Sequence, residues 1–474
     1  MIVRVTRKPR KKRIVILGGG FAGVYAAIHL EKSLGRESAA EIRLISRDNF
    51  FLFTPMLHEI AASDLEITNI VNPLRKLLRK VEVLVGEIDK VDLPNKRVLI
   101  SSGYRKHSHR IDYDHLVIAL GSITNFYDVA GLPEQALTMK SLPDAIRLRG
   151  QILQCLEDAN SECDHTDRQS LLTFVVAGGG FAGVETMAAI NDFVREALPF
   201  YPNLCEEMLR VILVHSGPVI LPELGESLGR YAHQVLDQRG IEIRVNARVK
   251  SMTGNSVLLV DGALIPSSTL VWTAGTIPSP LISSLPCAKE RGRIRVNQFL
   301  GVPDWPDVWA VGDCAFVPDL QKAGKSHPPT AQHAIREGKV VAQNIAAVLL
   351  GRPLKSFSFK TIGLLASIGR RMGVARIFGF NFSGFFAWWM WRTVYLSKLP
   401  GLDKKVRVAF DWTLDLLFPK DVCAVYNLGR DRDFYHRNPK PVRALISSTS
   451  SFGGHPSSTV TASSDAFGSS RSAN

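Results

Sequence analysis

Gly18–Val24 reads GGGFAGV, and Gly178–Val184 reads GGGFAGV again, 160 residues further on. Each copy follows a short apolar run, Ile14–Leu17 and Phe174–Ala177, and leads into a helix-compatible stretch, YAAIHLEKSL or ETMAAINDFVREAL. Strand, glycine turn and helix together are the context a phosphate-binding turn requires. Gly18 and Gly178 permit the sharp reversal, Gly20 and Gly180 let backbone approach a pyrophosphate, and Gly23 and Gly183 let the helix lie close to the sheet. Phe21, Ala22 and Phe181 lie within these turns, where backbone N–H groups and the positive helix end face the phosphates. One GxGxxG is weak evidence, since such turns also serve ordinary packing; two identical copies in the same setting predict two dinucleotide folds.

The sequence between and after the copies alternates strand and helix signals. IRLIS (42–46), DHLVIALGS (114–122) and a helix over 143–158 follow the first copy; RVILVHS (210–216), a strand over 241–245, and TLVWTAGT (269–276) follow the second. VWAVGDCA (308–315) and a helix over 330–350 complete the pattern. Alternation of this kind implies parallel sheets with ligands at the strand C-termini.

At 474 residues and 46% hydrophobic content, the chain is long enough for two or three domains and too apolar for wholesale disorder. The net charge of +14 is unevenly placed. Residues 1–13 carry seven bases and no acid, residues 352–443 carry +11, and the body over 14–351 is −4. An acidic body without a basic-aromatic strand platform disfavours nucleic acid as a partner, while basic ends suit an anionic membrane surface. Six cysteines without a C-x-x-C pair offer neither a disulfide framework nor a visible zinc or iron–sulfur ligand set, so no metal is expected. The first apolar run contains the glycine turn and reads as a strand rather than a targeting segment.

The last part of the chain differs. IFGFNFSGFFAWWMW (377–391) holds three of the seven tryptophans but is too short to span a bilayer. Pro400-Gly401 breaks the chain, Asp403 is placed to cap a following helix, and Pro419 succeeds its end. On a helical wheel Val406, Ala409, Phe410, Thr413, Leu414, Leu416 and Leu417 share one side. Lys404, Lys405, Arg407, Asp411 and Asp415 lie opposite, with Trp412 and Phe418 at the borders. Such a helix lies in a membrane interface or packs its apolar side on the body or on a second subunit; the pattern leaves these open. Beyond Ala444 the Ser/Gly-rich tail lacks the apolar content to fold.

These motifs resemble the two-dinucleotide-binding-domain flavoproteins and, within them, the type II NADH dehydrogenases, single-chain NADH:quinone oxidoreductases. The resemblance covers residues 13–438 and rests on GGGFAG (18–23), FTPMLHEIA (53–61), VIALGS (117–122), KSLPDAIRLR (140–149), GGGFAGVE (178–185), WTAG (272–275), VWAVGDCA (308–315) and AQHAIREG (331–338). The glycine and GD motifs belong to the whole superfamily; the TPMLHE and AQ segments and the aromatic extension narrow it. It implies that the first fold binds FAD and the second a nicotinamide dinucleotide, NADH or NADPH. Ala119, Gly121, Gly275 and Gly312 fall in its cofactor-binding motifs. Asp313 would bond the ribityl or phosphate end of FAD, Ala331 and Gln332 would meet the flavin ring, Thr54 and Pro55 would line it, and Glu185 would sit near the nicotinamide.

The sequence departs from the family pattern in three places. Ser46 occupies the position of the acid that takes the FAD adenosine ribose, with Asp48 two residues on as a substitute. His215 occupies the equivalent place in the second fold, leaving no carboxylate to take a ribose or repel a 2′-phosphate. Arg336 replaces the second glutamine of the A-Q-x-x-x-Q quinone signature, and either donates to a quinone carbonyl or lies on a solvated helix face. No cysteine lies in Phe50–Ala62, where a disulfide reductase carries its redox pair, and Cys155, Cys163 and Cys314 read as structural.

The expected fold is α/β, with two Rossmann-like dinucleotide-binding domains, the second inserted in the first, and a C-terminal membrane-associating extension. Its parts are a basic arm (1–13), the FAD-binding domain (14–142 and 299–351), the NAD(P)H-binding domain (143–298), a membrane- or dimer-associated region (352–443) and a disordered tail (444–474). The expected activity passes hydride from NAD(P)H to FAD and electrons to a membrane quinone without proton pumping. Glu185, Gln332 and Arg336 are its candidate catalytic residues, and the expected location is peripheral, on the cytoplasmic face of the cell membrane. The alternatives are a reductase of a soluble acceptor such as ferredoxin, and a flavin-bearing redox sensor that touches nucleic acid, similar to the apoptosis-inducing-factor relatives.

Overall fold

Ile14, Val15, Ile16 and Leu17 are fully buried, as expected for a parallel strand covered on both faces. Their strand, Lys12–Leu17, lies inside a six-stranded sheet. The order is Gly301–Val302, Trp305–Ala310, His115–Ile118, Lys12–Leu17, Ala40–Ser46, Glu82–Val85. Ile14 pairs with Ile42 on one side and His115 on the other, both parallel. Only the edge strand Gly301–Val302 runs antiparallel. Strands from residues 12–118 and 301–310 thus share a sheet.

A second sheet lies between them in sequence, ordered Leu137–Thr138, Thr269–Trp272, Thr173–Ala177, Arg210–Val214, Ile241–Arg244, all parallel. In each sheet the strand before the glycine turn has neighbours on both sides, so the chain winds outward in two directions from it. That switch point opens a crevice at the strand C-termini. The helix Leu142–Ser161 enters through a capping box, Ser141 and Asp144 satisfying each other's backbone N–H.

The helix Ala331–Leu349 returns to pack on the first-turn helix Phe21–Leu34. Gly338 makes the approach: a Cβ there would lie 2.5 Å from the Ala22 carbonyl oxygen and 2.9 Å from the Ala26 nitrogen.

The computed structural model describes residues 11–34, 40–322 and 324–423. All fall in one unit, Met1–Gly429; the second, Arg430–Asn474, lies outside the described residues, as do the first ten residues of the basic arm, the tail, and 424–443 of the C-terminal region. Lys12 and Arg13 are strand rather than arm, with the Arg13 backbone N–H donating to Asp114 at 2.7 Å.

The aromatic stretch 377–391 is split between elements. A three-stranded antiparallel sheet, Gly363–Ser367, Gly373–Ile377 and Phe380–Ser383, leads into helices Gly384–Lys398 and Leu402–Leu414. No described helix is long and apolar enough to cross a membrane.

The last helix corrects one expectation and removes one of the readings left open. Asp403 does not cap it: Gly401 is the cap residue, and Asp403, in the first turn, pairs with Lys76 Nζ at 2.8 Å. Its apolar side does not pack on the body either. Val406 and Phe410 are 62% and 61% exposed, whereas Val408 and Trp412 are buried. Asp411 turns inward and accepts from Asn69 Nδ2 at 2.6 Å. Specific polar contacts to the body, not the wheel's hydrophobicity, set the rotation of this helix.

Candidate functional site

The two glycine turns have matching geometry. Gly18 and Gly178 take φ of +109° and +118°, open to glycine and strained for other residues. Their N–H groups donate to Ile45 and Val214, each at 2.8 Å. A Cβ at Gly18 would collide with the Ala119 carbonyl, at Gly23 with the Gly18 carbonyl, and at Gly183 with the Gly178 carbonyl. At Gly20 and Gly180 it would meet nothing within 4 Å. The second glycine of each turn therefore borders open space at the start of a helix, Phe21–Leu34 or Phe181–Ala197. The surrounding fold gives glycine no packing reason there; a phosphate group approaching the backbone does.

The residue ending the next strand closes each turn. Ser46 is buried, with its Oγ against Gly19. Asp48 is exposed beside Arg47, its carboxylate 3.8 Å from the Arg47 Nε. In the second fold, His215 Nδ1 accepts from the Gly179 N–H at 3.1 Å. Burial pushes the His215 pKa down, against smaller opposing effects of the Val219 carbonyl and the Glu223 charge.

Across the first crevice, Asp313 accepts from Ser122 Oγ at 2.7 Å, and Lys140 Nζ donates to the same Ser122 oxygen at 3.1 Å. Asp313 caps nothing in its short turn Gly312–Cys314. Gly312, at φ +75°, donates its N–H to Glu337 at 2.6 Å. Gly121 also has positive φ, and Gly275 lies against the Tyr127 ring.

A third group forms where the C-terminal segment meets both folds. Gln332, in the first turn of its helix, donates Nε2–H to the Gly363 carbonyl at 2.8 Å rather than to solvent. Arg336 donates to the Gln332 carbonyl at 2.8 Å, and its guanidinium lies 3.9 Å over the Phe359 ring. Neither residue is a fully solvated helix-face residue. Ala331, half-buried, starts the helix; Pro55 is half-buried and Thr54 exposed on the turn Thr54–Met56.

Glu185 is buried. Its Oε1 accepts from Trp391 Nε1 at 2.9 Å and from the Ser367 N–H at 3.2 Å, while His58 Nδ1 lies 3.9 Å from Oε2. Burial pushes the Glu185 carboxyl up to about 8 and His58 down to about 3. At neutral pH the two are therefore an uncharged pair, not an ion pair. Beside them Glu59, also pushed well up by burial, accepts from Trp412 Nε1 at 3.1 Å. Arg392 lies 4.2 and 4.6 Å from the Trp388 and Trp412 ring centroids.

Sequence reasoning assigned no role to His58, Glu59, Trp391 or Trp412. The HE pair stood in the quoted FTPMLHEIA, but its partners are 127 to 353 positions away and no periodicity links them. The structure joins Glu185 to His58 and Trp391, and Gln332 to Arg336. It shows no direct bond between Asp313 and either group.

Comparison with known proteins follows the same division of the chain. Residues 12–338 match the family model described as pyridine nucleotide-disulphide oxidoreductase, and 362–421 match that of the NDH2 C-terminal domain. The chain is 34% identical over 426 residues to the type II NADH:quinone oxidoreductase Ndh of Mycobacterium tuberculosis, covering 86% of this chain and 89% of that one. It is 32% identical to a probable NADH dehydrogenase of Dictyostelium discoideum, covering 87% and 91%. Its fold is similar to NDH2 from Plasmodium falciparum in complex with NADH, at a TM-score of 0.80 and 21% identity over 87% of this chain and 100% of that chain.

Proposed function

The chain belongs to the type II NADH:quinone oxidoreductases, and on that premise we propose that it carries FAD in the first fold, oxidises NADH in the second, and reduces a membrane quinone. The observation that carries the reading is the pair of glycine cradles, each with open space at its second glycine. Bound FAD supplies the two-electron chemistry between dinucleotide and quinone. The balance is one NADH, one proton and one quinone giving NAD⁺ and quinol.

The protein's own groups position and protonate. The Gly20 and Gly180 turns and their helix N-termini hold the two pyrophosphates. Asp313, fixed by Ser122, would bond the ribityl or phosphate end of FAD, and Ser46 with Asp48 would border its adenosine ribose. The start of the Ala331–Leu349 helix, with Gln332 held by Gly363 and Arg336 by Gln332 and Phe359, would offer partial positive charge to the flavin ring. Glu185, protonated at neutral pH and held by Trp391 and Ser367, stores a proton of the kind quinol formation consumes. The assignment gives FAD residues 14–142 with 299–351, and the dinucleotide residues 143–298.

Residues 352–443 supply the membrane contact. Phe378, Phe380, Phe385, Phe386, Trp389 and Phe410 are all more than half exposed. Aromatic side chains beside Lys and Arg suit the interface of an anionic bilayer and support a peripheral location, in this reading on the cytoplasmic face. No described helix is long and apolar enough to cross a bilayer, and the reading includes no proton pumping.

The purified protein is expected to be yellow and to oxidise NADH only when a quinone is added. A colourless protein without flavin overturns the reading. Sedimentation with anionic vesicles tests the membrane contact. A protein that instead forms dimers and ignores vesicles assigns the apolar face to a second subunit.

A further inference from the structure

The second cradle differs from the first in what closes it. Where a carboxylate would bond the ribose hydroxyls of NADH and repel a 2′-phosphate, the strand Arg210–Val214 runs into His215. The imidazole is fixed in this place. A Cβ at Gly179 would lie 2.6 Å from the His215 Cγ, so the ring packs directly on the turn, and its Nδ1 holds the Gly179 N–H. Backbone bonds from the neighbouring strand end brace it: the His215 N–H donates to the Arg244 carbonyl and the Ala247 N–H to the His215 carbonyl. A ring whose Nδ1 accepts a hydrogen bond is neutral, with its proton on Nε2. Glu223, exposed on the turn Pro222–Leu224, is the acid whose charge reaches the ring, and the strand end continues into exposed Arg248.

We propose that this cradle takes NADPH as readily as NADH, because the locked imidazole of His215 leaves the adenosine ribose corner without the carboxylate that would exclude a 2′-phosphate. The inference rests on the reading that the second fold takes the nicotinamide dinucleotide. It adds that the fold does not choose between the two coenzymes, and names the residue responsible.

The test uses the flavin-loaded enzyme. It compares kcat/KM for NADH and NADPH with a soluble quinone, and binding of 2′,5′-ADP and 5′-AMP by calorimetry. The expected result is a kcat/KM ratio within about tenfold, with 2′,5′-ADP bound at least as tightly as 5′-AMP. His215→Glu should shift the NADH-to-NADPH kcat/KM ratio and the 5′-AMP-to-2′,5′-ADP affinity ratio by about tenfold or more toward the unphosphorylated ligands, whose 2′-hydroxyl the new carboxylate can bond. His215→Ala, which adds no charge, should leave the coenzyme ratio within about threefold of the parent. A parent preference for NADH beyond about tenfold overturns the proposal. If Glu223→Gln then abolishes that preference, Glu223 is the ribose acid. Equal losses for both coenzymes in His215→Glu also overturn it, since the residue would then be structural. If neither coenzyme reduces the bound flavin, it is the functional reading that fails.

Discussion

Glu185 is held among groups that give its charge nothing to pair with: an indole N–H, a backbone N–H and a neutral imidazole. Its carboxyl rises from the ordinary 4.5 to about 8, so between those values the folded protein binds a proton that the unfolded chain has released. Folding stability from this group is therefore complete below the lower value and falls as pH rises through the upper one. Glu185→Gln keeps an acceptor for Trp391 and Ser367 and cannot ionise. Its Tm relative to the parent is expected to climb by several degrees between pH 6 and pH 9 in parallel thermal melts. In steady-state turnover with quinone, the variant, which has no carboxyl proton to give, should run at every pH near the low level the parent reaches above pH 8, with no further fall there. The motif GGGFAGVE placed Glu185 after the second turn. Its partners could not be read, because residues 367 and 391 meet it only through the return of the C-terminal segment.

The elements separate what is fixed by local sequence from what is fixed by docking. Both glycine turns were legible because the constraint is local, and their consequences differ by position. Gly20→Ala and Gly180→Ala meet open space, so melting of the cofactor-free protein should hardly change. Gly20→Ala should nevertheless lose flavin absorbance on purification, while Gly180→Ala keeps it and raises the KM for NADH by about tenfold or more. Gly23→Ala and Gly183→Ala drive a methyl into the turn carbonyls, and should lower soluble yield and Tm. The last helix shows the opposite case. Its wheel gave a correct apolar stripe, but the orientation depended on Asp411 and Trp412 reaching Asn69 and Glu59, more than 340 positions away. Trp412→Phe removes the indole donor and leaves Glu59 less satisfied, at a cost of about 1–2 kcal/mol, measurable as a lower Tm.

For the whole molecule, the inward rotation of that helix turns Val406 and Phe410 outward, near exposed Leu417, on a chain whose positive charge is concentrated in residues 1–13 and 352–443. Replacing Val406, Phe410 and Leu417 together by Glu should release the enzyme from anionic vesicles in a flotation assay, with NADH oxidation by a soluble quinone retained. Unchanged flotation would place the contact elsewhere. The order of strands has a different consequence, felt during synthesis. Trp305–Ala310 pairs with His115–Ile118, and Ala331–Leu349 packs on Phe21–Leu34, so the first sheet cannot close until the ribosome has passed the second fold. At 5–20 residues per second, the edge of His115–Ile118 waits roughly 10–40 s for its partner. The nascent chain therefore completes its domains in the reverse of their order of appearance, and carries an unpaired strand edge through that interval, when chaperone protection matters most.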